Sequence, residues 1–237
     1  MNTRSYRPIP LALTMLIALF SALAALAVSG RHDAAAHGNT SHQATTRAAT
    51  VHGAATISKK EFGLRQEMRR LWEDHVTWTR LAVISLTTDS PDTTATVGRL
   101  LKNQTDIGNA VKPYYGAAAA GQLTALLRQH ILIAADLIAA ARKGDQAGVA
   151  SQQTRWTANA DQIATLLNKA NPRFWKLGPM KAMMHDHLRL TTGEVVARLQ
   201  RNWAADVRAY DRIHRQALHM ADMLSTGLVR QFPSRFR

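Results

Sequence analysis

A chain of 237 residues, 46% of them hydrophobic, is long enough to bury a core and too apolar to be disordered throughout. It holds no cysteine, which excludes disulfides, thiolate metal sites and cysteine nucleophiles. The formal charge is +14, and +12 without Arg4 and Arg7 of residues 1–29; this balance suits acidic phosphate-bearing surfaces, and equally suits simple solubility.

Arg4 and Arg7 precede an uncharged run from Leu11 to Val28, and Ala27-Val28-Ser29 offers a cleavage site before Gly30. This charged, apolar, small-residue order is that of a secretory signal, although the run is also long enough for a marginal membrane anchor. The expected location is therefore outside the cytoplasm, periplasmic or extracellular, with residues 11–28 as anchor if they are retained. Without a cysteine the chain cannot be a lipoprotein. Residues 30–57 have no helical apolar stripe and read as a flexible linker. His32, His37, His42 and His52 lie in it, a composition that collects metal ions loosely or serves as a plain spacer.

From residue 58 onward the pattern is helical throughout, with no alternating strand signature. Three segments share one order of residues, namely two apolar, two polar, His, then apolar, any, apolar, small. They are LWEDHVTWT from Leu71, LLRQHILIA from Leu126 and MMHDHLRLT from Met183. A second block follows each: RLLKNQTDIGNAV from Arg99, RWTANADQIATLL from Arg155 and RIHRQALHMADML from Arg212. Each copy then reaches a Pro or aromatic corner, in KPYYG, NPRFW and RQFP. Six blocks in register at a period of about 56 residues define an internal repeat, with copies near residues 62–113, 117–172 and 178–233.

Turn residues divide each copy in two. Asp89-Ser90-Pro91-Asp92 offers a helix cap and a first-turn proline, Gly144-Asp145 a C-terminal glycine and a capping acid, and Asn202 a further cap. The expected fold is all-α, a six-helix bundle of three tandem hairpins whose helices run roughly 20 residues, or about 30 Å.

His75, His130 and His187 are flanked at three and four residues by mostly apolar or small side chains, so each imidazole faces the core. Asn103, Asn159 and Gln216 face inward in the second blocks by the same test. Each His and its amide are equidistant from a turn and should lie side by side, all six in one layer. Buried polar groups cost a few kcal/mol each unless they are satisfied. Two readings meet that demand. Each imidazole bonds its amide and the layer fixes helix register, or three neutral imidazoles converge on a small ligand or a metal ion such as Zn, Cu or Fe, with the amides setting their tautomers.

Arg99, Arg155 and Arg212, one turn from the amides, are candidates for clamping an anion, or else are snorkelling surface residues. His185 diverges from His187 and belongs on the surface. Trp72, Trp78, Trp156 and Trp203 have the spacing of core residues. Glu73 and Asp74 turn away from the apolar face, so no carboxylate acid/base pair is expected. No Gly-rich phosphate loop, G-x-S-x-G or H-E-x-x-H motif occurs.

The blocks LWEDHVTWTR, RLLKN, KPYYG, RWTANADQIA, MMHDHL, ALHMADML and VRQFP resemble an uncharacterised bacterial family of small helical proteins across residues 65–236. Some members of that family carry an amino-acid kinase name, which the lack of a nucleotide-binding signature here contradicts. Three functions follow as expectations. The first is an exported, non-enzymatic helical module that binds a metal ion or small ligand at the histidine layer. The second is an envelope-associated structural protein holding anionic polymer or lipid on its basic surface, with no specific nucleic-acid partner. The third is a hydrolase or oxidase with a three-histidine metal site.

Overall fold

The computed structural model describes residues 57–237, so the leader and nearly all of the linker, with its four histidines, lie outside the described residues. Every element in the described part is helical: α1 (Lys59–Thr88), α2 (Thr93–Lys143), α3 (Gln146–Ala170), α4 (Leu177–Leu199), α5 (Trp203–Gln231) and a closing 3-10 turn, Pro233–Phe236. Successive helices pack on one another, and α5 returns to pack on α1, so the bundle closes.

Five helices stand where six are expected, because α2 runs for 51 residues through the KPYYG segment. Its backbone leaves helical geometry at Gly116 alone, with φ 81° and ψ 173°. Only glycine takes that conformation without steric cost, and Pro113 just before it lacks an N–H for the helical ladder. The two arms of α2 then lie against each other. Arg128 Nη1 donates to the Leu101 carbonyl at 3.1 Å, and a Cβ at Gly108 would fall on the Thr124 hydroxyl. By composition α2 is long and apolar enough to cross a membrane, a test that a core helix also passes.

Local chemistry sets most of the helix ends. Ser58 accepts from Glu61 N at 3.2 Å, Asp145 Oδ1 from Gly148 N at 2.9 Å and Asn202 Oδ1 from Ala205 N at 3.1 Å, each satisfying a first-turn donor. Gly144 closes α2 at φ 74°. The turn after α1 corrects its expected role. Asp89 is a left-handed C-cap at φ 57°, Pro91 precedes the helix, and Asp92 stands at the N-cap while its carboxylate accepts from Ser85 Oγ at 2.8 Å.

The turns at Asp89 and Gly144 lie at one end, where Arg142 bridges to Asp89 at 2.6 Å. Val83, Ile138 and Val195 pack together there, one from each of α1, α2 and α4. At the other end the three corner motifs meet. Tyr115 lies 5.9 Å from Trp175 and 5.6 Å from Phe232 between ring centroids, and its hydroxyl reaches Gln231 Oε1 at 2.5 Å. Asn171 Nδ2 donates to the Gly227 carbonyl at 3.0 Å. Gly227 is the seat for the Trp175 ring, since a Cβ there would fall on the indole nitrogen.

Between these ends runs the main core, including Leu71, Ile107, Ile163, Ile213 and Leu228. Each such side chain contributes roughly 1.5–3 kcal/mol by leaving water. Trp72 and Trp156 are buried in it and Trp78 is half-buried, but Trp203 is 52% exposed, against expectation. It is the first residue of α5, and its ring lies beneath the Arg198 guanidinium at 5.0 Å.

Candidate functional site

Midway along the bundle, the residues equidistant from the turn form hydrogen-bonded pairs in the second and third copies, whereas in the first His75 pairs with Gln104 and not with the expected Asn103. His130 Nδ1 lies 2.8 Å from Asn159 Oδ1, and His187 Nδ1 lies 3.3 Å from Gln216 Oε1. Each amide also donates to the carbonyl four residues before its histidine. Asn103 reaches Leu71 at 3.0 Å, and Asn159 reaches Leu126 and Gln216 reaches Met183, both at 3.1 Å. That second bond fixes which way the amide points. In the second and third copies the NH₂ is spent on main chain, so the oxygen faces the ring. An amide oxygen only accepts, so Nδ1 carries the proton and Nε2 keeps its lone pair.

The first copy is more crowded. Gln104, fully buried, places Nε2 3.1 Å from His75 Nδ1, 2.9 Å from the Leu100 carbonyl and 3.1 Å from Asn103 Oδ1. Two hydrogens cannot serve three acceptors, and Gln104 Oε1 has no partner among the described residues. The other copies have Ala160 and Ala217 at the next position, so Gln104 departs from the repeat and is not singled out by it.

The three imidazoles are buried and adjacent. His187 stands in the middle, with ring centroids 5.9 Å from His75 and 6.0 Å from His130. Burial pushes His75 down to about 3, helped by the nearby His187. Burial and the same neighbour push His130 down to about 3, and burial lowers His187. The layer is therefore neutral at ordinary pH. Among the described residues, His130 Nε2 is buried with no hydrogen-bond partner.

All three rings line two internal cavities of about 30 and 50 Å³. Val83, Leu86 and Ile138 wall the one toward the turns; Trp72, Leu167 and Leu224 help wall the other. Each has room for a water or an ion. Among the described residues no group of three His, Asp or Glu side chains stands ready to hold a metal ion as it is.

The arginine candidates do not gather at this layer. Arg99 bonds Asp74 at 3.3 Å and covers the Trp78 ring at 5.0 Å, Arg155 bonds Gln152 at 2.8 Å on the exposed face of α3, and Arg212 is exposed. Alternation of apolar and polar positions does not separate a side chain one turn away from one pointing outward. His185 is on the surface as expected, 2.8 Å from Asp161.

A second buried polar group goes unseen in the sequence. Arg80 of α1 holds Glu194 of α4 at 2.6 Å and Asp206 of α5 at 2.8 Å, and Arg198 joins Asp206 at 3.1 Å. Burial raises the Glu194 pKa, partly offset by Arg80. Burial also acts on Asp206, but its bonds to Arg80 and Arg198 keep it below the usual carboxylate range. These residues are more than a hundred positions apart in the case of Arg80, and no local pattern marks them.

Over the described residues, fold and site together define an all-helical bundle with a neutral imidazole–amide layer across its core. Compared with known proteins, the chain matches no family model, and neither a curated protein nor a solved structure is similar to it at a significant level.

Proposed function

We propose that this is an exported helical module that binds a metal ion or small ligand through His75, His130 and His187, with Asn103, Asn159 and Gln216 holding the rings. The observation that carries this reading is His130 Nε2, a buried lone pair without a partner beside two more neutral imidazoles. An ion about 2.0–2.1 Å from each Nε2 would draw the ring centroids to roughly 5 Å, a closure of about 1 Å from the separations above. The unit of the fold, in this reading, is one hairpin of about 56 residues used three times, and kinship with the small helical family rests on the same blocks. Export rests on the order of residues in the leader. No catalytic role is assigned.

The test is a pair of variants in the full chain, with His32, His37, His42 and His52 changed to Ser so that only the layer is probed. His130→Leu orphans Asn159 and should cost roughly 1–3 kcal/mol; adding Asn159→Leu should recover much of that. Zn²⁺ or Cu²⁺ should raise the Tm of the parent far more than that of either variant. If the parent binds no ion more tightly than about millimolar while the double variant matches its stability, the layer is packing alone.

A second reading has its own support. Arg208, Arg212 and Arg215 are exposed along α5, and no ion pair is formed by them among the described residues. Their spacing of four and three residues puts them on one face. We propose this stripe as the surface for an anionic envelope polymer or lipid. Binding to acidic vesicles should fall steeply between about 50 and 200 mM salt, and the triple change to Gln should remove it. Vesicle sedimentation showing no binding at low salt would leave the charge as a solubility feature.

A further inference from the structure

The cavity on the corner side of the histidine layer is walled by more than hydrocarbon. Met183, Met184 and Met220 line it together with His75, His130 and His187. Three thioethers and three neutral imidazoles therefore border one space of about 50 Å³. Among the described residues, no aspartate or glutamate lines this cavity or its neighbour across the layer.

These donors discriminate among ions. Thioether sulfur is a soft ligand that favours Cu(I), whereas non-haem Fe(II) sites draw on a carboxylate and Mg, Ca and Mn prefer oxygen. Charge points the same way. The cost of burying an ion in a low-dielectric space rises with the square of its charge, and here no anionic side chain offsets it. A dication would keep its whole charge in an apolar core, while a monocation would pay about a quarter of that solvation cost. His130 and His187, whose Nδ1–H is already committed to an amide oxygen, offer their Nε2 lone pairs without first losing a proton.

Resting on the histidine-layer reading, we propose that the ligand of this site is a single monovalent copper ion, held by imidazole nitrogen from the layer and by thioether sulfur from Met184 and Met220. Both methionines are buried, one on α4 and one on α5, so the ion would tie those helices to α1 and α2 through the histidines.

The experiment uses the full chain with the four linker histidines changed to Ser, under anaerobic conditions. Cu(I) is titrated in competition with a chromophoric Cu(I) chelator, and Zn²⁺ with a zinc indicator. One Cu(I) per chain, bound at least about tenfold more tightly than Zn²⁺, is the expected result. Met184→Leu with Met220→Leu keeps the volume of the wall. It should weaken Cu(I) by about tenfold or more and leave Zn²⁺ unchanged. X-ray absorption at the copper edge of the parent protein should show both nitrogen and sulfur neighbours, a readout that needs no variant to fold.

Zn²⁺ bound as tightly as Cu(I), through the histidines and with no effect of the methionine changes, would overturn the copper assignment and leave the histidine-layer reading in place. A copper spectrum with nitrogen neighbours alone would overturn it in the same way. Failure of both ions to bind the parent protein would overturn both readings.

Discussion

Lowering the pH from 7 to 4.5 should remove several kcal/mol of stability from this protein, and the histidine layer should be the main cause. His75 and His130 titrate at about 3 in the folded chain against 6.5 when free, and His187 is lowered too. The unfolded chain therefore takes up these protons first. Stability is whole above about pH 6.5 and drains away as the pH falls toward 3. At pH 4.5, two units below the unfolded value, each of His75 and His130 should cost roughly 2–3 kcal/mol. Two such terms rival a large part of a typical domain's 5–15 kcal/mol, to take an order-of-magnitude range. Urea unfolding at both pH values measures the loss. The double variant His130→Leu, Asn159→Leu should lose markedly less than the parent over the same interval. An unchanged urea midpoint between pH 7 and 4.5 would show that the imidazoles are not held neutral by burial.

The same three histidines show what a single sequence can carry. Their inward orientation, their common height and the amide partners of His130 and His187 follow from two regularities, the period of the helix and equal distance from a turn. Both survive folding because they are local. Caps at Asp145 and Asn202 are legible for the same reason, since each side chain serves a donor three residues away. Features that depend on distant partners are not. Trp203 has the spacing of a core residue, but it begins α5 and stacks under Arg198 instead. Trp175 sits in an irregular corner with no period to reveal it, and is among the most buried side chains because Gly227 makes room for its ring. Gln104 escapes notice because it breaks the repeat, standing where the other copies keep alanine. The KPYYG corner is readable as a corner, while the helical geometry that continues on both sides of Gly116 is not.

Arg80→Met should be among the most damaging single changes, costing roughly 3–5 kcal/mol at pH 7. The guanidinium joins the first helix to both of the last two. It bonds Glu194 on α4 and Asp206 on α5, and it lies over the Tyr210 ring at 5.4 Å. Asp206 would keep Arg198 at 3.1 Å and the favourable first turn of α5. Among the described residues Glu194 has no second cation bonded to it, and its side chain is only 1% exposed. Loss of Arg80 would thus leave a buried carboxylate uncompensated, which is the costly half of breaking a buried pair. The sign of the pH dependence identifies that carboxylate as the cause. The folded-state pKa of Glu194 is already raised by burial, and without Arg80 it should rise further. A raised pKa makes protonation favour the folded state, so the deficit of Arg80→Met relative to the parent should shrink as the pH falls from 7 to 5. The layer histidines are common to both proteins and cancel in that difference. Adding Glu194→Gln to Arg80→Met removes the orphaned charge and should recover part of the loss at pH 7 while flattening its pH dependence. Urea unfolding of the three proteins at pH 7 and pH 5 decides the matter. If Arg80→Met stays within about 0.5 kcal/mol of the parent, the range of an ordinary surface change, the network does not hold the closing seam of the bundle.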